Sequence, residues 1–363
     1  MANQFELNIY DPNYNQIDQV INPPFALSLV VNGRGSLTVP LPRKYNSLIR
    51  EDCILELWHA VGPSDAILQG NTIFLVRKTT KRRNSIQVTC HSALSLCERR
   101  IVAFAAGSPQ AQKTAKSDDM IKAIARENLG PLTGDAARTI SMVSIAADLG
   151  LGQTMSKGFS RKNVQKVMQE IASESATKGT RIYFDVVYLT SGALEFKTWV
   201  NNRGTDRTWS GNSGGYLMIS EEAGNLANAE LTEDYTDARN YIYAGGQGAE
   251  DTRAIQTSPD PVRIGASPFG RFEDWLDARN ASDATSLKGE ADARLREAMP
   301  KVTFTGDLVE TPQCRYDIDY GLADLVTAEY DGKSYDCLVS NIDLSSTGEK
   351  EPKARTKLVY IGS

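Results

Sequence analysis

The chain has 363 residues, 41% of them hydrophobic and 23% charged, with a formal net charge of −5. That length exceeds what one core ordinarily serves, so two to four domains are expected, and no stretch approaches the roughly 20 apolar residues of a membrane span. The acidic balance argues against a protein that grips nucleic acid, because such binding is dominated by neutralising phosphates. The N-terminal MANQFELNIYDPNYNQ has neither a basic start nor an apolar run, so no signal peptide is expected. Five cysteines (Cys53, Cys90, Cys97, Cys314 and Cys337), odd in number and widely spaced, suit a chain folded in a reducing cytoplasm.

Residues 5–100 are strand-like. FALSLVVNGRGSLTVPL gives two apolar runs, 25–31 and 37–41, around Asn32-Gly33-Arg34-Gly35. CILELW, NTIFLV and SIQVTC follow, and such a series suggests a barrel or sandwich. From 100 to 200 the period changes. SDDMIKAIARENLG predicts a helix with Ser117 as N-cap and Ile121, Ile124, Ala125 and Leu129 on one face. SRKNVQKVMQEIASESATKG carries Val164, Val167, Met168, Ile171 and Ala172 in a second helical stripe that stops near Gly179, and RIYFDVVYL with ALEFKTWV reads as a strand pair.

Residues 201–216 read as a Gly/Asn/Ser-rich loop. Strand patterns return at YLMI, NYIYAG and VTFTG, separated by the connector TSPDPVRIGASPFG and a helix capped at Ser282 with the stripe Leu287, Ala291, Leu295 and Ala298. The segment YGLADLVTAEYDGKSYDCLVSNIDL alternates apolar and polar residues on both sides of Asp331-Gly332, the strongest short-range hairpin signal. The expected fold is therefore α+β and mainly β: two antiparallel β-barrel domains with an α+β middle domain and a helical insertion. The boundaries are 1–100 for the first barrel, 101–210 for the α+β domain, 211–256 with 300–363 for the second barrel, and 257–299 for the insertion.

Candidate chemistry is sparse. Gly211, Ser213 and Gly215 satisfy G-x-S-x-G, and a serine hydrolase using Ser213 is one alternative reading. A hydroxyl needs a base, however, and the chain has only His59 and His91. A nucleophile elbow also needs a strand before the serine and a helix after it, and neither pattern is present. Cys90 and His91, adjacent on a strand, point to opposite faces, and with Cys97 they give no recognised zinc spacing. Asp317, Asp319 and Asp324 miss the calcium-loop register and read as the solvated face of a strand whose other face holds Tyr316, Ile318 and Tyr320. Gly245, Gly246 and Gly248 lack the helix that a phosphate-binding turn requires. The dense basic cluster Arg77, Lys78, Lys81, Arg82 and Arg83 reads as a solvated hairpin tip, with partner contact as its functional alternative. No catalytic, metal or cofactor site is expected. A carbohydrate-binding adhesin is a further alternative, against which Trp58, Trp199, Trp209 and Trp275 stand dispersed.

YLMISEEAGNLANAELTEDYTDARNYIYAGGQGAEDTR resembles a segment of siphophage tail hub, or baseplate-hub-like, proteins. The matching positions are Ser220, Gly224, Asn225, Leu226, Asn240 and Gly245 to Gly248. LKGEADARLRE and YDIDYGLADLVTAEYDG extend the resemblance, with Ala323 where that family commonly carries glycine. The resemblance implies a non-enzymatic homotrimer at the distal end of a phage tail, with two barrels per subunit. Its partners would be the distal tail protein, the tail tube, the tape measure protein and a central fibre or spike. DNA would pass through it without specific binding, and no membrane would be involved. Such a protein would be made in the bacterial host cytoplasm and would reside in the virion.

Overall fold

The computed structural model describes residues 4–60, 66–102, 111–159, 161–211, 215–248, 252–279, 281, 283–309, 311–348 and 352–361. The chain divides into a larger unit (1–175, 180–229 and 305–363) and a smaller one (176–179 and 230–304).

The first hundred residues form strands β1 (Gln4–Tyr10), β2 (Gln16–Ile21), β3 (Phe25–Val30), β4 (Ser36–Pro42), β5 (Ile54–Ala60), β6 (Ala66–Leu68), β7 (Phe74–Lys81) and β8 (Ser85–Ser92), then the single-turn helix α1 (Ser95–Glu98). Their period-two patterning is real: Phe5, Leu7 and Ile9 of β1 and Ile86, Val88 and Cys90 of β8 are buried, while the residues between them are half-exposed. The chain continues through β9 (Ala111–Lys116), α2 (Ser117–Asn128), β10 (Val143–Ile145), β11 (Thr154–Phe159), α3 (Val164–Thr177), β12 (Ile182–Thr190), β13 (Ala193–Val200), β14 (Asp206–Arg207), β15 (Met218–Ile219) and β16 (Leu226–Asp234).

Next come β17 (Tyr241–Gly245), β18 (Ile255–Pro259), α4 (Pro261–Gly265), β19 (Glu273–Asp277) and α5 (Ala284–Glu297), all in the smaller unit. There the sheet β18-β17-β19 packs Ile242 and Ala244 against Leu287 and Ala291 of α5. The chain ends with β20 (Lys301–Leu308), β21 (Leu325–Tyr330), β22 (Lys333–Ser346) and β23 (Lys353–Tyr360).

One sheet gathers strands from both ends of the sequence, in the order β16-β20-β23-β22-β3-β4-β8-β7-β5-β1-β2, with β21 against β22 and the short β14 and β15 against β21. The joint is the antiparallel pairing of β3 with β22, from Val30 opposite Asn341 to Phe25 opposite Ser346. The strand path is open at both ends among the described residues, and no closed barrel is traced among them. The β21–β22 hairpin turns on Asp331 (φ 51°) and Gly332 (φ 68°), both in the left-handed region that a two-residue turn requires.

The main core lies under α2 and α3. Met120, Ile121 and Ile124 of one helix, and Val167, Met168 and Ile171 of the other, pack with Phe184, Val186, Leu194 and Phe196 of the β12–β13 pair. Two helix caps differ from expectation. Lys116 is the N-cap of α2, because β9 runs straight into the helix and leaves Ser117 as its first residue. Ser117 instead accepts from Gln153 N at 3.1 Å and pairs with the Ser175 hydroxyl at 2.9 Å. Ser282 lies outside the described residues; Asp283 caps α5, accepting from Ser286 N at 2.8 Å.

Candidate functional site

The aspartates of the segment before β21 are not a solvated face. Residues 315–320 form a turn rather than a strand, with backbone bonds from Asp319 N and Tyr320 N to Arg315 O. Tyr316 and Tyr320, four residues apart, are both buried, and their ring centroids lie 5.9 Å apart. Asp317, at φ 65°, turns inward and meets His59 Nδ1 at 2.9 Å, and it accepts from Gln69 Nε2 at 2.5 Å. Tyr316 donates to Gln69 Oε1 at 3.0 Å, and His59 stacks flat on Phe5 with centroids 4.4 Å apart. His59 is thus a structural pin between β5 and this turn.

Asp324 is buried and accepts from Thr205 N (2.7 Å), Arg207 Nε (3.1 Å) and Gly321 N (3.0 Å). Of the three acids only Asp319 remains partly open. Burial alone would raise its carboxyl, but bonds from the Arg315 side chain and backbone outweigh that and hold it below the usual carboxylate range. Ala323, where the resembled family commonly has glycine, sits at φ 69° with its methyl group fully buried. An L-residue in that region bears about 1–2 kcal/mol of strain, which explains why glycine suits the position.

Ser213 lies outside the described residues; the turn before it, Thr208–Gly211, is held by side-chain hydrogen bonds. Asp206 accepts from Thr208 N (3.0 Å) and Thr208 Oγ1 (2.7 Å), and Gly211 N donates to Thr208 Oγ1 (3.0 Å). Trp209 N donates to Thr327 Oγ1 at 2.9 Å; Thr327 and Ser210 donate their hydroxyls to the two oxygens of Asp336, at 3.0 and 3.2 Å. Hydroxyl and carboxylate are therefore paired here without an imidazole. The His59 ring meets the Asp317 carboxylate, far along the chain from this turn.

Cys90 and His91 lie on opposite faces of β8, and burial pushes the Cys90 thiol far up. Burial, followed by the Arg34 charge, lowers His91 from its ordinary range. No group of His, Cys, Asp or Glu side chains among the described residues could hold a metal ion. Gly245 lies beneath the Trp275 ring and beside Arg253, so a side chain there would collide with both; the glycine serves packing.

The basic cluster does occupy the β7–β8 hairpin. Arg77 bonds Glu51 (2.9 Å) and Asp52 (3.0 Å), and Lys81 donates to Asn46 O (3.0 Å). Lys78, Arg82 and Arg83 are exposed. The aromatic pair formed by Trp209 and Tyr216 escaped sequence reading, because it joins residues on either side of the Gly/Ser loop.

This architecture is found in solved phage tail proteins. The chain is similar to a tail protein from Neisseria meningitidis (10% identity, 98% of this chain and 96% of that one, TM-score 0.60). It is also similar to the 43 kDa tail protein of prophage MuSo2 from Shewanella oneidensis (10% identity, 98% of both chains, TM-score 0.59). Prophage tail protein gp18 from Listeria monocytogenes matches at 13% identity over 98% and 94% of the two chains, with a TM-score of 0.55. A comparison with curated proteins finds no significant match. The chain thus has a fold that these solved phage tail proteins share. Residues 6–358 match the sequence profile of the family described as "Siphovirus ReqiPepy6 Gp37-like protein", and the chain belongs to that family.

Proposed function

We propose that this chain is the tail hub at the distal end of a siphophage tail. In this reading three copies form a ring that joins the tail tube and distal tail protein to the central fibre or spike and lets DNA pass. The supporting observation is the end-to-end correspondence with prophage tail proteins, over 94–98% of both chains in each comparison, on a fold whose first and last β segments share one sheet. Two barrel-like domains per subunit would give six similar modules in a trimer, suited to adapting a sixfold tail to a threefold tip. The protein would work through its surfaces, without turnover. The exposed cations Lys78, Arg82 and Arg83 of the β7–β8 hairpin would meet an acidic neighbour in the tail.

Three copies at −5 each carry −15, and an acidic lumen repels phosphate at short range. Native mass measurement with negative-stain imaging tests the assembly: trimer-mass ring particles are expected. A monomer under all conditions, including in the presence of the distal tail protein, would count against the hub. Salt-sensitive, tight DNA binding would contradict the passive lumen.

A further inference from the structure

We propose that the pocket beside the ordered Thr208–Gly211 turn binds a neutral saccharide. The pocket has a volume of about 380 Å³, within the range of small-ligand sites, and lies wholly in the larger unit. Its apolar wall is Trp209, Met218 and Tyr360, and its polar side is Ser210, Ser334, Thr327 and Asp336. Trp209 is 63% exposed, and Tyr216, edge-on to it at 4.8 Å between centroids, is 52% exposed. Two large rings held against each other in solvent, next to a concave surface, form a platform that the chain's own core leaves uncovered.

The polar side fixes the ligand chemistry. Asp336 takes one hydroxyl on each carboxylate oxygen, from Thr327 and Ser210, which uses about half of the acceptor sites of an ionised carboxyl. The Thr327 hydroxyl is itself fixed by the Trp209 backbone N–H at 2.9 Å, so the indole and the acid are positioned by the same side chain. The remaining acceptor capacity calls for ligand O–H donors. Among the described residues no lysine or arginine lines the pocket, so none of them compensates an anionic ligand. A group with an apolar C–H face for the indole and several hydroxyls for Asp336 and the serines is a sugar ring without charge. The dispersed tryptophans of the sequence do not weaken this, because tyrosines, not further tryptophans, complete the aromatic wall.

The inference goes beyond the assembly reading and does not depend on it, since binding is measured on the purified full-length chain in any oligomeric state. The probes are maltotriose and N,N′,N″-triacetylchitotriose, followed by tryptophan fluorescence and by saturation-transfer NMR to the sugar C–H protons. Saturable binding of at least one trisaccharide is expected. Trp209→Ala and Asp336→Asn should each weaken it by about tenfold or more, and Tyr216→Ala by less, as expected for lost ring stacking and lost charge-assisted bonds. Thermal unfolding of each variant checks that the fold is kept. Absence of a saturable response to both sugars, or binding that survives Trp209→Ala and Asp336→Asn unchanged, overturns the proposal.

Discussion

Asp324 shows how much one carboxylate can organise. It holds the backbone of Thr205 and Gly321 and the guanidinium of Arg207 at once, just before β21. Asp324→Ala should therefore destabilise the protein by about 2–4 kcal/mol, read as a lower urea midpoint at unchanged slope, because it strands two N–H groups and a half-buried cation. Asp18 makes a prediction about acid. Hydrogen bonds from Lys44 and then Tyr45 lower its pKa to about 2 from an ordinary 3.8. A depressed carboxylate contributes stability above its unfolded pKa and loses it as the folded form is protonated. Wild-type stability should then fall between about pH 4 and pH 2, and Asp18→Asn should flatten that part of the profile. The thiols offer a third check. None of the five cysteines is in a disulfide and all are buried, and burial pushes Cys337 up to about 12. Ellman's reagent at pH 8 should find none in the native protein and all five in denaturant.

Among the elements, α2 is held by several polar anchors. Its first turn clamps the segment leading into β11: Asp119 accepts from Leu149 N and Gly150 N (both 3.1 Å), and Asp118 from Leu151 N (2.9 Å). Asp118 also pairs with Lys122, one turn on, at 3.2 Å with both side chains fully enclosed, and Lys122 donates to Ala147 O at 2.7 Å. Removing one partner of a buried pair leaves a bare charge, so Lys122→Ala should cost about 3–5 kcal/mol by chemical denaturation, well beyond loss of the helix stripe alone. Patterns that depend on neighbours were legible in the sequence: the apolar faces of α2, α3 and α5, the turn at Asp331-Gly332, and the opposed faces of β8. Patterns that depend on distant partners were not. Asp317 looked like one member of an alternating strand because its partners, His59 and Gln69, lie far upstream. Ser117 looked like a cap because Ser-Asp-Asp offers three capping residues in a row, and only the strand running into the helix decides between them.

At the scale of the molecule, the sheet is the organising object. The β3–β22 pairing makes the N-terminal strands and the C-terminal hairpin one hydrogen-bonded ladder. Amides of β3 and β22 should therefore exchange with matching protection, in one cooperative opening, when followed by native-state hydrogen exchange. Earlier exchange of β22 alone would show the hairpin to be an independent element. Beside the Gly/Ser loop, Ser210 pairs with the Asp336 carboxylate, a hydroxyl–carboxylate contact with no imidazole in it.

The same ladder places a demand on biosynthesis. Val30 leaves the ribosome long before Asn341, its eventual neighbour, and at bacterial or eukaryotic elongation rates the interval is roughly 15–60 s. Throughout that wait β3 presents an unfilled strand edge to its surroundings, a template for pairing with the wrong chain. A nascent polypeptide built this way gains from slow encounter with its siblings and from chaperone cover until its last strands emerge.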